Sequence, residues 1–320
     1  MTSASDIEQQ LPATLAPRIR SVRFVNGVAT LVADATGLGR TEAAGLQREL
    51  EQVVGGLPGV SEVRVALMAD KVRRQVIVVG SGKGGVGKST LTANLAVALA
   101  RAGRKVGVVD ADIYGPSQPM LLDAANEKPT AEGQQLIPVE SPHGVKLLSM
   151  GQLVPPGKAI AWRGPMTGSA LGQLMDAQWG DAEVLLVDLP PGTGDVQLTM
   201  LQKFKPAGAI VVSTPQDLAL IDATRALDLF RQAEVPVVGI VENMAGYLCP
   251  HCGQSSDPFG AGGAEAAARA LGEDFLGRIP LAMAIRIASD AGQPPAGGDR
   301  PEGEPFAAIA ERLGEWLDRQ

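Results

Sequence analysis

The chain has 320 residues, 45% of them hydrophobic, 20% charged and only 3% aromatic, which suits one large domain with an appendage, or two domains, packed by Ala, Val, Leu and Ile. Lys and Arg number 28 against 35 Asp and Glu, and the resulting net charge of −7 argues against a nucleic-acid-binding face. No run of about 18 apolar residues occurs, and the stretch Met1–Arg20 contains Asp6 and Glu8 without an apolar core, so neither a membrane span nor a signal peptide is expected.

The first 70 residues predict a small α+β domain. Val22–Val25 and Val28–Val32 flank Asn26-Gly27, a pair suited to a type I′ hairpin turn. Thr41–Val54 carries helical spacing and runs into Gly55-Gly56, where a C-cap glycine is expected; Val60–Leu67 alternates as a third strand. This part contains neither Cys nor His, which favours a docking or packing role without chemistry.

From residue 71 to 320 the pattern changes to strand–helix units. Apolar strands are expected at Gln75–Val79, Lys105–Asp110, Val145–Ser149, Glu183–Asp188, Gly208–Ser213, Pro236–Glu242 and Phe275–Ile279. Helices are expected at Lys88–Ala102, Asp217–Ala233 and Ala261–Leu271. Apolar strands alternating with helices imply an α/β fold, a doubly wound, mostly parallel sheet covered on both faces. Gln293–Pro305, rich in Pro and Gly, predicts an exposed loop. Phe306, Ile309, Leu313, Trp316 and Leu317 recur at helical spacing, and the opposite face (Glu311, Arg312, Glu315, Asp318, Arg319) is not basic. That helix is expected to pack on the domain rather than lie on a membrane.

Gly82-Lys83-Gly84-Gly85-Val86-Gly87-Lys88-Ser89 follows a strand and opens a helix, the context in which G-x-x-x-x-G-K-[ST] binds phosphate. The glycines let backbone N–H groups face phosphate oxygens at a helix N-terminus. Lys88 would neutralise the β- and γ-phosphates of ATP, and Ser89 would ligate Mg²⁺. Lys83, between Gly82 and Gly84, is free to reach away from its own nucleotide and to supply charge to a phosphate on a second subunit; the plainer alternative is a solvated cation. Asp110 and Asp112 end one strand, and Asp188 ends another in the form that holds Mg²⁺ through water. Gly192-Thr193-Gly194 then provides a pliable segment able to respond to the γ-phosphate.

The only cysteines are Cys249 and Cys252, in Cys249-Pro250-His251-Cys252, a usage that fits a reducing, cytoplasmic setting. Two thiolates are half of a tetrahedral site for iron–sulfur, zinc or copper, which a second subunit would complete. A thiol-redox pair and an inert buried pair are the other readings, and His251 reads as a spacer. His143, Trp162 and Trp179 carry no functional signal.

Ser81-Gly82-Lys83-Gly84-Gly85-Val86-Gly87-Lys88-Ser89-Thr90 resembles the deviant Walker A of the MinD/ParA/nitrogenase-iron-protein class. With Asp110-Ala111-Asp112-Ile113-Tyr114-Gly115-Pro116-Ser117, the run Asp188-Leu189-Pro190-Pro191-Gly192-Thr193-Gly194-Asp195, Glu242-Asn243-Met244 and the cysteine pair, the chain resembles the Mrp/ApbC family of iron–sulfur carrier ATPases. The first 70 residues resemble a shortened version of that family's N-terminal domain, without its Asp-Pro-Glu opening motif. The resemblance implies slow Mg²⁺-dependent ATP hydrolysis in which Asp112 positions the attacking water and Asn243 meets the adenine edge. It further implies a homodimer sharing a four-iron cluster on Cys249 and Cys252, taken from a donor scaffold and handed to apo iron–sulfur clients. A ParA/MinD-like positioning ATPase with structural zinc is the alternative.

Overall fold

The computed structural model describes residues 3–70, 73–153, 165–249 and 251–320. Lys71, Trp162 and Pro250 lie outside the described residues. The chain divides into two compact units, Met1–Arg73 with Trp179–Asp181, and Arg74–Gln178 with Ala182–Gln320.

In the smaller unit, α1 (Ala4–Gln9) is capped by Ser3, whose hydroxyl accepts from the Asp6 N–H at 3.2 Å. Strands β1 (Ile19–Val25) and β2 (Val28–Asp34) pair antiparallel with Val25 opposite Val28. Asn26 and Gly27 between them both take positive φ, 51° and 83°, as a type I′ turn requires. Helix α2 (Arg40–Gly55) crosses to β3 (Glu62–Met68), which runs parallel to β2. The helix ends where expected, but Gly56 caps it at φ −78°, in the right-handed region. Ile7, Leu31, Leu50 and Val54 centre this unit's core.

The larger unit runs β4 (Gln75–Gly80), α3 (Lys88–Arg101), β5 (Val106–Asp110), α4 (Gln118–Leu121), β6 (Thr130–Glu132), β7 (Gln135–Ile137), β8 (Val139–Glu140) and β9 (Val145–Ser149). It continues through α5 (Pro165–Met175), β10 (Val184–Asp188), α6 (Asp195–Thr199), β11 (Gly208–Ser213), α7 (Asp217–Gln232), β12 (Val237–Asn243), β13 (Tyr247–Leu248) and β14 (Ser255–Ser256). Helix α8 (Gly263–Leu271), β15 (Phe275–Ile279), α9 (Met283–Asp290) and α10 (Glu304–Asp318) complete it. One eight-stranded sheet has the order β15-β12-β11-β4-β10-β5-β9-β8, parallel throughout except at β8–β9.

Alternation explains why the central strands read as unbroken apolar runs. Ile77, Val79, Val108 and Leu186 join α3 and α10 in one core, while the intervening Val78, Val109, Leu185 and Val187 are buried as well. The chain leaves β4 towards β5 and leaves β10 towards β11 on the other side of β4. The crevice beyond the carboxyl ends of these strands is where ligands bind in such sheets.

Gln293–Pro305 is not the exposed loop expected. It forms the 3₁₀ turns Pro295–Gly297 and Pro301–Gly303, with Pro295, Ala296 and Gly303 buried. Polar side chains of α3 satisfy its backbone: Asn94 Oδ1 accepts from the Ala296 N–H at 2.9 Å, and Arg101 donates to the Ala296 and Gly298 carbonyls. Helix α10 packs on α3 and β15 through Phe306, Ile309, Leu313 and Leu317, while Trp316 is only partly buried.

Candidate functional site

The glycine-rich loop links β4 to α3, and Gly85 and Gly87 take φ of 79° and 84°, a backbone that side chains resist. Close approach demands glycine at Gly82 and Gly87 independently. A Cβ at Gly82 would lie 2.1 Å from the Asp222 carbonyl of α7, and one at Gly87 would lie 2.0 Å from Asn243 Nδ2. Lys83 is half-buried rather than free, with Nζ 3.5 Å from Gln216 Oε1. Ser81 ties the loop to the segment after β10, because its carbonyl accepts from the Gly192 N–H at 3.0 Å.

Three strand ends bring the buried polar groups together. Asp188 at the end of β10 is fully buried and forms an ion pair with Lys88 Nζ, which also lies 3.4 Å from Ser89 Oγ. Asp110, in register beside it at the end of β5, accepts from the N–H groups of Asp112, Ser117 and Gln118 and from Ser149 Oγ, at 3.0–3.2 Å. Burial and the neighbouring Asp188 charge push the Asp110 carboxyl up to about 7, against those donors. Asp112 turns its own carboxylate onto the Tyr114 and Gly115 N–H groups, at 3.1 and 3.2 Å, and so shapes the loop that follows β5.

Gln118 was not anticipated. Its side chain is fully buried and its amide nitrogen donates to both the Ser89 carbonyl and Asp188 Oδ2, each at 2.9 Å. It lies just beyond the Asp-x-Asp loop, and no spacing rule connects it to partners at residues 89 and 188. The Ser89 hydroxyl and the Asp188 carboxylate are oxygen ligands of the kind that suit a hard dication such as Mg²⁺.

At the end of β12, Asn243 Nδ2 donates to the Val86 carbonyl at 2.8 Å, so the amide expected at an adenine edge braces the phosphate loop. Its neighbour Glu242, fully buried, accepts from the Gly262 and Ala264 N–H groups and from Arg278, holding the start of α8. The chain then turns into the small hairpin β13–β14, whose tip carries the cysteines; Cys249 N–H donates to the Gln254 carbonyl at 3.0 Å, and Gly253 N–H to the Cys249 carbonyl at 2.9 Å. This is a built hairpin rather than the plain loop expected. Cys249 is half-buried and Cys252 exposed, both as free thiols. Backbone N–H groups of Cys252 and then His251 hold the Cys249 thiol below its ordinary pKa, with help from the Cys252 side chain. Among the described residues no group of three or more Cys, His, Asp or Glu is placed to hold a metal ion. No described helix is long and apolar enough to cross a membrane.

Strand, phosphate loop and acidic strand ends define a P-loop NTPase of the MinD/ParA class. The cell-division ATPase MinD of Pyrococcus furiosus shares the fold at TM-score 0.56 and 23% identity, over 77% of this chain and 100% of that one. A nucleotide-binding protein of Archaeoglobus fulgidus, solved in complex with ADP, is similar at TM-score 0.63 and 39% identity, over 72% of this chain and 91% of that one. Within that class, the model for the NUBPL iron-transfer P-loop NTPases of the ParA group matches residues 72–314, and the chain belongs to this family. Relatives named iron-sulfur cluster carrier protein occur in Deinococcus radiodurans (49% identity, covering 74% of this chain and 70% of the relative) and Pseudomonas fragi (44%, covering 82% and 96%).

Proposed function

We propose that this protein is a cytoplasmic iron–sulfur cluster carrier whose slow Mg²⁺-dependent ATPase switches a homodimer between holding and releasing its cargo. The carrying observation is the hairpin at residues 247–256: two free thiols at its tip, one held towards thiolate by backbone N–H donors, on the chain that leaves Asn243 at the phosphate loop. Thiolates are the ligands that iron–sulfur clusters need, and N–H donors to sulfur stabilise the charge. Four ligands for a four-iron cluster come from Cys249 and Cys252 of two subunits. Clients are apoproteins that lack a cluster, and a scaffold protein supplies it; nucleic acid and membrane play no part in this reading.

For hydrolysis, the loop 82–90 cradles ATP and Lys88 leaves Asp188 for the phosphates. Ser89 and Asp188 hold Mg²⁺, which offsets phosphate charge when bound. Asp112 orients water and Lys83 swings from Gln216 towards the partner's nucleotide. Residues 1–70 serve as a packing or docking module without chemistry of their own.

Anaerobic reconstitution with ferrous iron and sulfide tests the reading. Broad visible absorption, matching iron and sulfide content, and passage of the cluster to an apoprotein are expected. Tightly bound zinc that iron does not displace would favour a ParA/MinD-like positioning ATPase with a structural zinc site instead. A redox-active disulfide with no cluster would point to thiol exchange.

A further inference from the structure

The amide of Gln118 is spent on one side only. Both of its N–H hydrogens have acceptors, the Ser89 carbonyl and Asp188 Oδ2, each at 2.9 Å. Its carbonyl oxygen is buried without a partner among the described residues, one of two side-chain atoms so placed. Flipping the amide cannot relieve this, because Oε1 would then face two acceptors. A buried acceptor with no donor is uncommon in folded proteins and points to a donor that arrives with a ligand. The side chain already touches the two residues, Ser89 and Asp188, that the proposed function gives to Mg²⁺. Mg²⁺ keeps several of its waters when bound by proteins, and those waters are donors.

Resting on that ATPase reading, we infer that Gln118 is a positioning residue for hydrated Mg²⁺, fixing Asp188 with its nitrogen and accepting from a metal-bound water with Oε1. The same residue's backbone N–H donates to Asp110 at 3.1 Å, so seating the metal also anchors the loop 110–118. Ligand-side partners of this kind orient the metal shell rather than touch the reacting phosphate.

The test uses the full chain and Gln118→Met, which keeps length but lacks both polar ends. Calorimetric ADP affinity in EDTA should stay within about three-fold of wild type, since the substitution leaves Lys88 and the backbone N–H groups of the phosphate loop in place and removes only one donor to the Ser89 carbonyl. Half-saturation by Mn²⁺ of the ADP complex, followed by electron paramagnetic resonance, should rise about ten-fold or more, the range found for residues that support metal ligands. An unchanged Mn²⁺ titration with normal ADP binding overturns the role of Gln118 and leaves the ATPase reading intact. Absence of ADP binding by the wild type overturns both. If Gln118→Met fails to fold, a crystal structure of the wild type with Mg²⁺ and a non-hydrolysable ATP analogue decides: a metal-bound water within hydrogen-bond reach of Oε1 is expected, and none there overturns the inference.

Discussion

Lys88 is buried against Asp188, and Asp110 stands in register beside that carboxylate at the end of β5. On the proposed reading, nucleotide binding would draw Lys88 towards phosphate and Mg²⁺ would take its place beside the carboxylate. Lys88→Ala is expected to weaken ADP binding about 10- to 100-fold by calorimetry, the scale of losing hydrogen bonds to a charged group; affinity near wild type would defeat the assignment. The cysteines invite a similar single-residue test. Thiolate is the species that reacts with iodoacetamide, so alkylation speeds up as pH rises through the thiol pKa and then levels off. In Cys252→Ala the backbone donors to Cys249 persist, and its alkylation midpoint is expected below the ordinary value of 9.0. A midpoint at or above that value would remove the N–H donors from the account.

One strand end serves two sites at the scale of elements. β12 delivers Asn243 to the Val86 carbonyl and Glu242 to the start of α8, and the same chain goes on to the cysteine hairpin. Asn243→Ala leaves the Val86 carbonyl without its donor, so stability in urea should fall by about 1–3 kcal/mol and ADP affinity should fall with it. Lost ADP affinity at unchanged stability would return Asn243 to the adenine edge alone. The strands and the phosphate loop were legible in the sequence because each is a contiguous run whose period or glycine spacing states its geometry. The cysteine hairpin was not: β13 and β14 are two-residue strands, too short for any alternation to register. Gln118 escaped for another reason, since its partners lie at residues 89 and 188 and only the sheet order brings them together. In Gln293–Pro305, composition reported the absence of a long helix correctly but not the burial, which Asn94 and Arg101 make possible from α3.

At the scale of the whole molecule the question is stoichiometry. One chain has two cysteines, and among the described residues no third metal-binding side chain joins them, whereas a four-iron cluster held by protein asks for four thiolates. A two-fold axis through the cluster meets that need with Cys249 and Cys252 from each subunit. Lys83 belongs to the same proposal: its Nζ lies 3.5 Å from Gln216 Oε1 in the single chain, and its proposed role is to reach a phosphate held by a second subunit. Lys83→Ala is therefore expected to keep ADP affinity but lose hydrolysis and ATP-dependent pairing, as read by light scattering; normal turnover would remove the cross-subunit role. Reconstituted protein is expected to bind one four-iron cluster per dimer, about two irons per chain. Either cysteine changed to Ala should abolish stable loading, while His251→Ala should retain it, because His251 offers Cys249 a backbone N–H that the substitution keeps. A cluster that joins two subunits, as proposed, should also tighten the dimer on loading, by the mass action of any ligand that favours one state. About four irons per chain in a monomeric peak on size-exclusion chromatography would sink the shared-cluster model.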